Sequence, residues 1–258
     1  MSVFLPVIIV AVIGIIAGLG LALAAKFMSV PVDEKETEIR NCLPGANCGA
    51  CGFSGCDGYA SALAKGEAPP DKCAPGGDDT ASALSKILGV EVNAEPKIAF
   101  IACHGNCDTV NTKYEYTGLK TCAAANLLHS GPLECRFGCI GYGDCMRSCP
   151  FGAISMQNDR PLICEDICVG CGKCASVCPK SIISIIPKNS STRVWCSNND
   201  KGPQAVKVCK TSCIACGMCV KTCKHDAISI ADNVAIIDYA KCTGCKECAA
   251  VCKRKAII

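Results

Sequence analysis

The longest apolar run comes first: Val3 to Ala25 holds 23 residues without a charge. As an α-helix it would extend about 34 Å, against about 30 Å of bilayer hydrocarbon. That pattern predicts a transmembrane anchor over residues 1–26. A signal peptide is disfavoured, because no basic stretch precedes the run and the run is too long. Gly14 and Gly18 have the spacing that allows another helix to approach, a weak motif that also arises by chance. Lys26 at the end of the run favours an inside location for that end.

The remaining pattern is short and broken. Residues 27–41 are mixed and charged and read as a linker or a short surface helix. Asp57 to Lys65 reads as one helix, with Asp57 as its cap, and Pro69-Pro70 ends it. Asp78 to Gly89 reads as an amphipathic helix and Lys97 to Ala102 as a strand. Four apolar peptides, at 153–156, 181–186, 227–230 and 256–258, read as strands packing over whatever the loops before them hold. Aromatic residues make up only 5% of the chain, so an aromatic core is not available.

What the loops hold is written in their cysteines. There are 27 in 258 residues, far above ordinary usage. Cys168, Cys171, Cys174 and Cys178, followed by Pro179, form C-x2-C-x2-C-x3-C-P, the bacterial ferredoxin spacing for a [4Fe-4S] cluster. Adding 74 carries this set onto Cys242, Cys245, Cys248 and Cys252. The same shift carries Cys139, Cys145 and Cys149 onto Cys213, Cys219 and Cys223, Cys135 onto Cys209, and Cys122 onto Cys196. The chain therefore contains an internal duplication. One position breaks it: Cys216 corresponds to Tyr142.

Disulfide scaffolds are usually short and secreted, and zinc sites favour separated C-x2-C pairs, often with histidine. Here the spacing repeats and there are three histidines. Cubane clusters are the better reading, and they supply folding free energy that a small core lacks. In two-cluster ferredoxins the fourth cysteine of each run crosses to the other cluster. The second unit then has one set of Cys213, Cys216, Cys219 and Cys252 and another of Cys242, Cys245, Cys248 and Cys223. The first unit has Cys168, Cys171, Cys174 and Cys149, and an incomplete set of Cys139, Cys145 and Cys178. Cys135, four residues before Cys139, is the expected replacement for the thiolate missing at Tyr142.

Upstream, Cys48, Cys51, Cys56 and Cys73 lie in the glycine-rich LPGANCGACGFSGC and its continuation. They give a further four-thiolate module, with zinc as the minority reading, and Cys42 is not expected to ligate. Cys103, Cys107 and Cys122 suggest another centre, with Cys135, Cys196 or Cys209 as candidate fourth ligands. His104 is expected to be a loop residue. The count is at least five [4Fe-4S] clusters, and six if those three cysteines form one.

An anchor, an LPGANCGACG module directly behind it and tandem ferredoxin motifs together resemble the B subunit of the Rnf complex over essentially the whole chain. The module alone also resembles that of corrinoid iron–sulfur proteins. The resemblance implies a membrane-bound ferredoxin:NAD+ oxidoreductase coupled to Na+ or H+ transport. It also implies soluble ferredoxin as electron donor and other Rnf subunits as partners in the cytoplasmic membrane, while the reduced thiols that clusters need place the cluster domains on the cytoplasmic side.

The expected fold is α+β. A transmembrane helix and a linker (27–41) precede a [4Fe-4S] module (42–77) and a connecting segment with extra cysteines (78–134). Two tandem bacterial two-cluster ferredoxin-like modules follow, at 135–187 and 188–258. From Lys201 onward there are ten Lys or Arg and four acids, and Lys224, Lys246, Lys253 and Arg254 are candidate docking residues for an acidic redox partner. Nucleic-acid binding is disfavoured, because no aromatic residues are interleaved with the charge. No nucleotide-binding glycine motif is visible, so the chain reads as an electron carrier rather than a bond-making component. One uncharged helix offers no path for ions. The alternatives, a corrinoid methyl-transfer component or a tethered redox sensor, each require a further domain that no stretch of the sequence supplies.

Overall fold

The computed structural model describes residues 4–27, 33–90, 95–106 and 108–258. Helix α1 (Phe4–Phe27) stands apart, with its described side chains exposed, and it is long and apolar enough to cross a membrane.

Three helices build the next module. Helix α2 (Glu34–Cys42) is capped by Asp33, whose side chain accepts from the Lys35 N–H at 3.0 Å. Its sequence is almost entirely polar, and Ile39, fully buried, anchors it. Burying that one side chain is worth about 1.5–3 kcal/mol. Helix α3 (Cys56–Ala64) begins one residue earlier than the sequence suggests, with Gly55 at its cap position. Asp57 is therefore not the cap; it pairs with Arg40 of α2. Helix α4 (Gly77–Leu88) closes the module and ends on Gly89 in the left-handed conformation. Ile39, Leu43, Tyr59, Leu63 and Leu84 form the shared core.

Strand β1 (Lys97–Ile101) pairs antiparallel with β4 (Ile183–Pro187), with Ile101 opposite Ile183. Between them in sequence come α5 (Cys122–Leu127), α6 (Asp144–Arg147), the hairpin β2 (Ile154–Gln157) and β3 (Arg160–Ile163), and α7 (Lys173–Ser176). The boundary expected at 134/135 is thus crossed by a strand pair: β1 closes the first unit from outside it. The hairpin turns on Asn158 and Asp159, both with positive φ, the requirement of a type I′ turn.

The second unit repeats this plan. Helix α8 (Gly202–Val208), α9 (Met218–Thr222), the hairpin β5 (Ile228–Ala231) and β6 (Val234–Ile237), and α10 (Glu247–Ala250) follow in order. Its outer pair is reduced to a bridge between Val194 and Ile257. Positions 183 and 257 are 74 apart, so Ile101 corresponds to Val194, and Cys103, two residues on, corresponds to Cys196. The match of Cys122 to Cys196 by uniform shift is therefore corrected. Cys103 and Cys135 are separated by 31 residues, Cys196 and Cys209 by 12, and the excess in the first unit carries α5.

The units are joined along their inner edges. Arg193 pairs with Glu165, Arg136 with Asp200 at 2.9 Å, and the His104 N–H donates to the Trp195 carbonyl at 3.0 Å.

Candidate iron–sulfur sites

All 26 described cysteines are free thiols, and Cys107 lies outside the described residues. No three His, Cys, Asp or Glu side chains among the described residues gather tightly enough for a single metal ion. A mononuclear zinc site needs thiolates about 3.8 Å apart, given a Zn–S bond of about 2.3 Å. Here the thiols instead surround cavities, the arrangement that a multi-iron core requires.

In the first module Cys48, Cys51, Cys56 and Cys73 line a cavity with about 310 Å³ of empty space. Two features shape it. The Cys56 N–H donates to Asn47 Oδ1 at 2.8 Å, and Gly55 at φ 142 passes so close that an added Cβ would lie 2.9 Å from that oxygen. Tyr59, 1% exposed, donates its hydroxyl to the Pro69 carbonyl at 2.7 Å and accepts from the Lys72 N–H at 3.3 Å. Burial pushes the phenol up to about 12, so it stays a donor. This pair of bonds carries the chain back to Cys73.

In the first unit, Cys122, Cys139, Cys145 and Cys178 line one cavity with about 380 Å³ of empty space. Cys122, not Cys135, stands where the repeat lacks a thiol. Helix α5 brings it there: Thr121 caps the helix by accepting from Ala124 N–H at 3.2 Å, and Asp144 Oδ2 accepts from Ala123 N–H at 3.0 Å. Tyr142, in the place of Cys216, packs on the added segment, 5.8 Å from the Tyr116 ring and 5.3 Å from Lys120 Nζ. The residue that removed a thiol thus supports the segment that brings one. Burial pushes the Cys145 thiol up to about 11, with Cys122 adding to the push.

The other first-unit set, Cys149, Cys168, Cys171 and Cys174, adjoins the first module. Burial raises the Cys171 thiol first, the Lys173 N–H opposes, and Cys48 raises it further. The Ala99 N–H of β1 donates to Cys168 Sγ at 3.3 Å. Cys174, pushed up by burial to about 12, is raised further by Cys168, Cys171 and then Cys145, which links this set to its neighbour.

In the second unit Cys213, Cys219 and Cys248 are buried in one core, with Cys223, Cys242 and Cys252 packed against it. Cys216 and Cys245 are exposed. Of the candidate docking residues, Lys246 and Lys253 are exposed, and Lys224 pairs with Glu247 at 2.9 Å while remaining largely exposed. Arg254 is turned inward instead, donating to the Cys209 carbonyl at 2.9 Å and that of Ser212 at 3.4 Å.

The expected grouping of Cys103, Cys107 and Cys122 separates: Cys122 belongs to the cavity above, and Cys103 lines a different one with Cys135, Cys196 and Cys209. The sequence offers Cys196 and Cys209 only as alternative fourth ligands beside Cys103, Cys107 and Cys122, and it gives His104 a loop role. The register of the outer strand pair was the missing signal.

A family model described as "Putative Fe-S cluster" matches residues 43–75, and one described as "4Fe-4S dicluster domain" matches 134–182 and 212–256. The chain is 43% identical over 258 residues to the B subunit of the Na(+)-translocating ferredoxin:NAD(+) oxidoreductase complex of Acetobacterium woodii, covering 99% of this chain and 78% of that one. It is 40% identical over 261 residues to the B subunit of the proton-translocating ferredoxin:NAD(+) oxidoreductase complex of Clostridium ljungdahlii, covering 99% and 92%. To the B subunit of the ion-translocating oxidoreductase complex of Methanosarcina acetivorans it is 35% identical over 253 residues, covering 95% and 96%. With an apolar N-terminal helix, an Fe–S module and repeated dicluster motifs along its whole length, the chain belongs to the family of Rnf complex B subunits.

Proposed function

We propose that this chain is the electron-relay subunit of a membrane ion-translocating oxidoreductase. It takes electrons from reduced ferredoxin and passes them towards membrane subunits. NAD+ reduction and Na+ or H+ transport belong to other subunits. The observation that carries this reading is the series of neighbouring cysteine sets, from the module behind α1 into the first unit, Cys48 beside Cys171 and Cys174 beside Cys145. A bound [4Fe-4S] cluster supplies one-electron redox chemistry whose potential the surrounding chain tunes.

The residues that would hold the groups are assigned as follows. Cys48, Cys51, Cys56 and Cys73 serve the first module. Cys149, Cys168, Cys171 and Cys174 serve one site in the first unit, and Cys122, Cys139, Cys145 and Cys178 the other. Cys213, Cys216, Cys219 and Cys252, and Cys223, Cys242, Cys245 and Cys248, serve the second. This is a tandem pair of two-cluster modules behind a single-cluster module. The chain's own contribution is to exclude water and aim N–H groups at sulfur, as Ala99 does at Cys168.

Helix α1 anchors the chain, with the cysteine sets on the cytoplasmic side, where thiols stay reduced. Lys224, Lys246 and Lys253, all exposed, are the basic residues offered to ferredoxin. Deleting the chain should abolish ferredoxin-dependent NAD+ reduction in membranes, and re-supplying it should restore the activity. Unchanged activity after deletion would sink the proposal.

A further inference from the structure

Among the described residues, a group of four thiols outside these five sites lies between the two units. Cys103, Cys135, Cys196 and Cys209 line one cavity, as the Cys122 set and the first-module set each line theirs. Three of the four are 7–8% exposed: Cys103, Cys135 and Cys209. The arrangement repeats across the units. The Cys139 N–H donates to Cys103 Sγ at 3.4 Å, and the Cys213 N–H, at the repeat-equivalent position, donates to Cys196 Sγ at 3.2 Å. Each unit therefore contributes one cysteine two residues beyond its outer pair, Cys103 or Cys196, and one four residues ahead of Cys139 or Cys213.

The cavity also carries polar groups that the protein leaves unpaired. Asn198 is 2% exposed, and its Oδ1 is taken by the Asp200 N–H at 2.8 Å. That fixes the amide, yet among the described residues Nδ2 has no partner, and neither does the buried Nδ1 of His104. Both residues line the cavity. A buried donor without an acceptor costs about 1–3 kcal/mol, so the Asn198 amide points to a missing acceptor in this cavity. Gly138 brings backbone close to the thiols: an added Cβ would lie 3.4 Å from Cys135 Sγ and 3.6 Å from Cys103 Sγ. Four thiols, an unpaired amide donor and a close backbone fit an inorganic core with acid-labile sulfides as acceptors.

We infer that Cys103, Cys135, Cys196 and Cys209 hold a sixth [4Fe-4S] cluster at the junction of the two units, with the Asn198 amide and the His104 ring facing its sulfides. The inference rests on the relay reading above and deepens it. Cys139 lies beside Cys103, and Cys196 beside Cys213, so the quartet fills the interval between the first unit's sites and the second's. The junction then joins two modules that each carry the missing half of one site.

The test is iron, zinc and acid-labile sulfide in the anaerobically purified full-length chain, with Cys→Ala variants at each quartet position. Each variant should lose up to about four irons of about 24, at four per cubane. The readout does not depend on turnover. Quartet variants that keep all the iron of the unaltered chain overturn the inference alone, and so does zinc bound in place of iron there. Full iron in Cys51→Ala would instead count against the relay reading itself. Where a cysteine variant loses all its iron through misfolding, Asn198→Leu decides. It should keep the full iron content while lowering the reduction potential of one centre in an EPR titration, and unchanged potentials at every centre would overturn the inference.

Discussion

Cys122→Ala, alone and combined with Tyr142→Cys, tests how the first unit solved its missing ligand. The single variant leaves Cys139, Cys145 and Cys178 around the cavity, three thiolates for four irons. At least one iron should be lost, and about four if the core does not persist. Tyr142→Cys puts a thiol back at the position that Cys216 occupies in the second unit. It removes a ring 5.8 Å from Tyr116 and 5.3 Å from Lys120 Nζ. The ring pair is worth about 0.5–1.5 kcal/mol and the exposed cation contact about 0.5–1. The cost of about 1–2.5 kcal/mol is smaller than the stability of a typical domain, about 5–15 kcal/mol, so the double variant should fold. Iron per chain and EPR of the dithionite-reduced protein should show a centre lost in Cys122→Ala and regained in the double variant. Full iron in Cys122→Ala, or no recovery on adding Tyr142→Cys, would refute the reasoning.

Three further outcomes follow from the geometry. Tyr59→Phe removes the donor to the Pro69 carbonyl and the acceptor of the Lys72 N–H, at a cost of about 1–3 kcal/mol. Hydrogen exchange at Lys72 should quicken, and unchanged protection would contradict the role given to Tyr59. Burial holds the Cys145 and Cys174 thiols at about 11 and 12, so each would release a proton on binding iron. The sign is that lower pH favours the thiol. Reconstitution from iron and sulfide should therefore weaken between about pH 8 and about pH 6.5, with proton release, and a flat profile would count against it. Lys224→Glu, Lys246→Glu and Lys253→Glu together should slow electron uptake from reduced ferredoxin roughly tenfold at low ionic strength, with the difference fading in salt. A defect independent of salt would show that these lysines do not steer ferredoxin.

Much of the fold was legible because a few constraints are local. The uncharged run at the N-terminus, the Gly89 stop of α4 and the ferredoxin spacing each fix one element from adjacent residues. The hairpin partners β3 and β6 were missed, although Asn158-Asp159 and Asp232-Asn233 are the positive-φ pairs a tight hairpin turn uses. Asp57 was misread as a cap because Arg40, 17 positions earlier, competes for its carboxylate. The repeat alignment goes wrong where register is non-local. A uniform shift aligned Cys122 with Cys196, but the first unit's added segment breaks that shift before Cys135. Only the pairing of Ile101 with Ile183 and of Val194 with Ile257 shows Cys103 to be the true counterpart. Arg254 looked like a docking residue from its charge, and its inward bonds to the Cys209 and Ser212 carbonyls could not be read from neighbours in sequence.

Iron and acid-labile sulfide per polypeptide, measured on the unaltered chain purified without oxygen, test the central claim most directly. The five relay quartets predict at least about 20 iron atoms and about 20 sulfides per chain, rising to about 24 of each with the junction quartet, and clearly fewer than about 20 would contradict it.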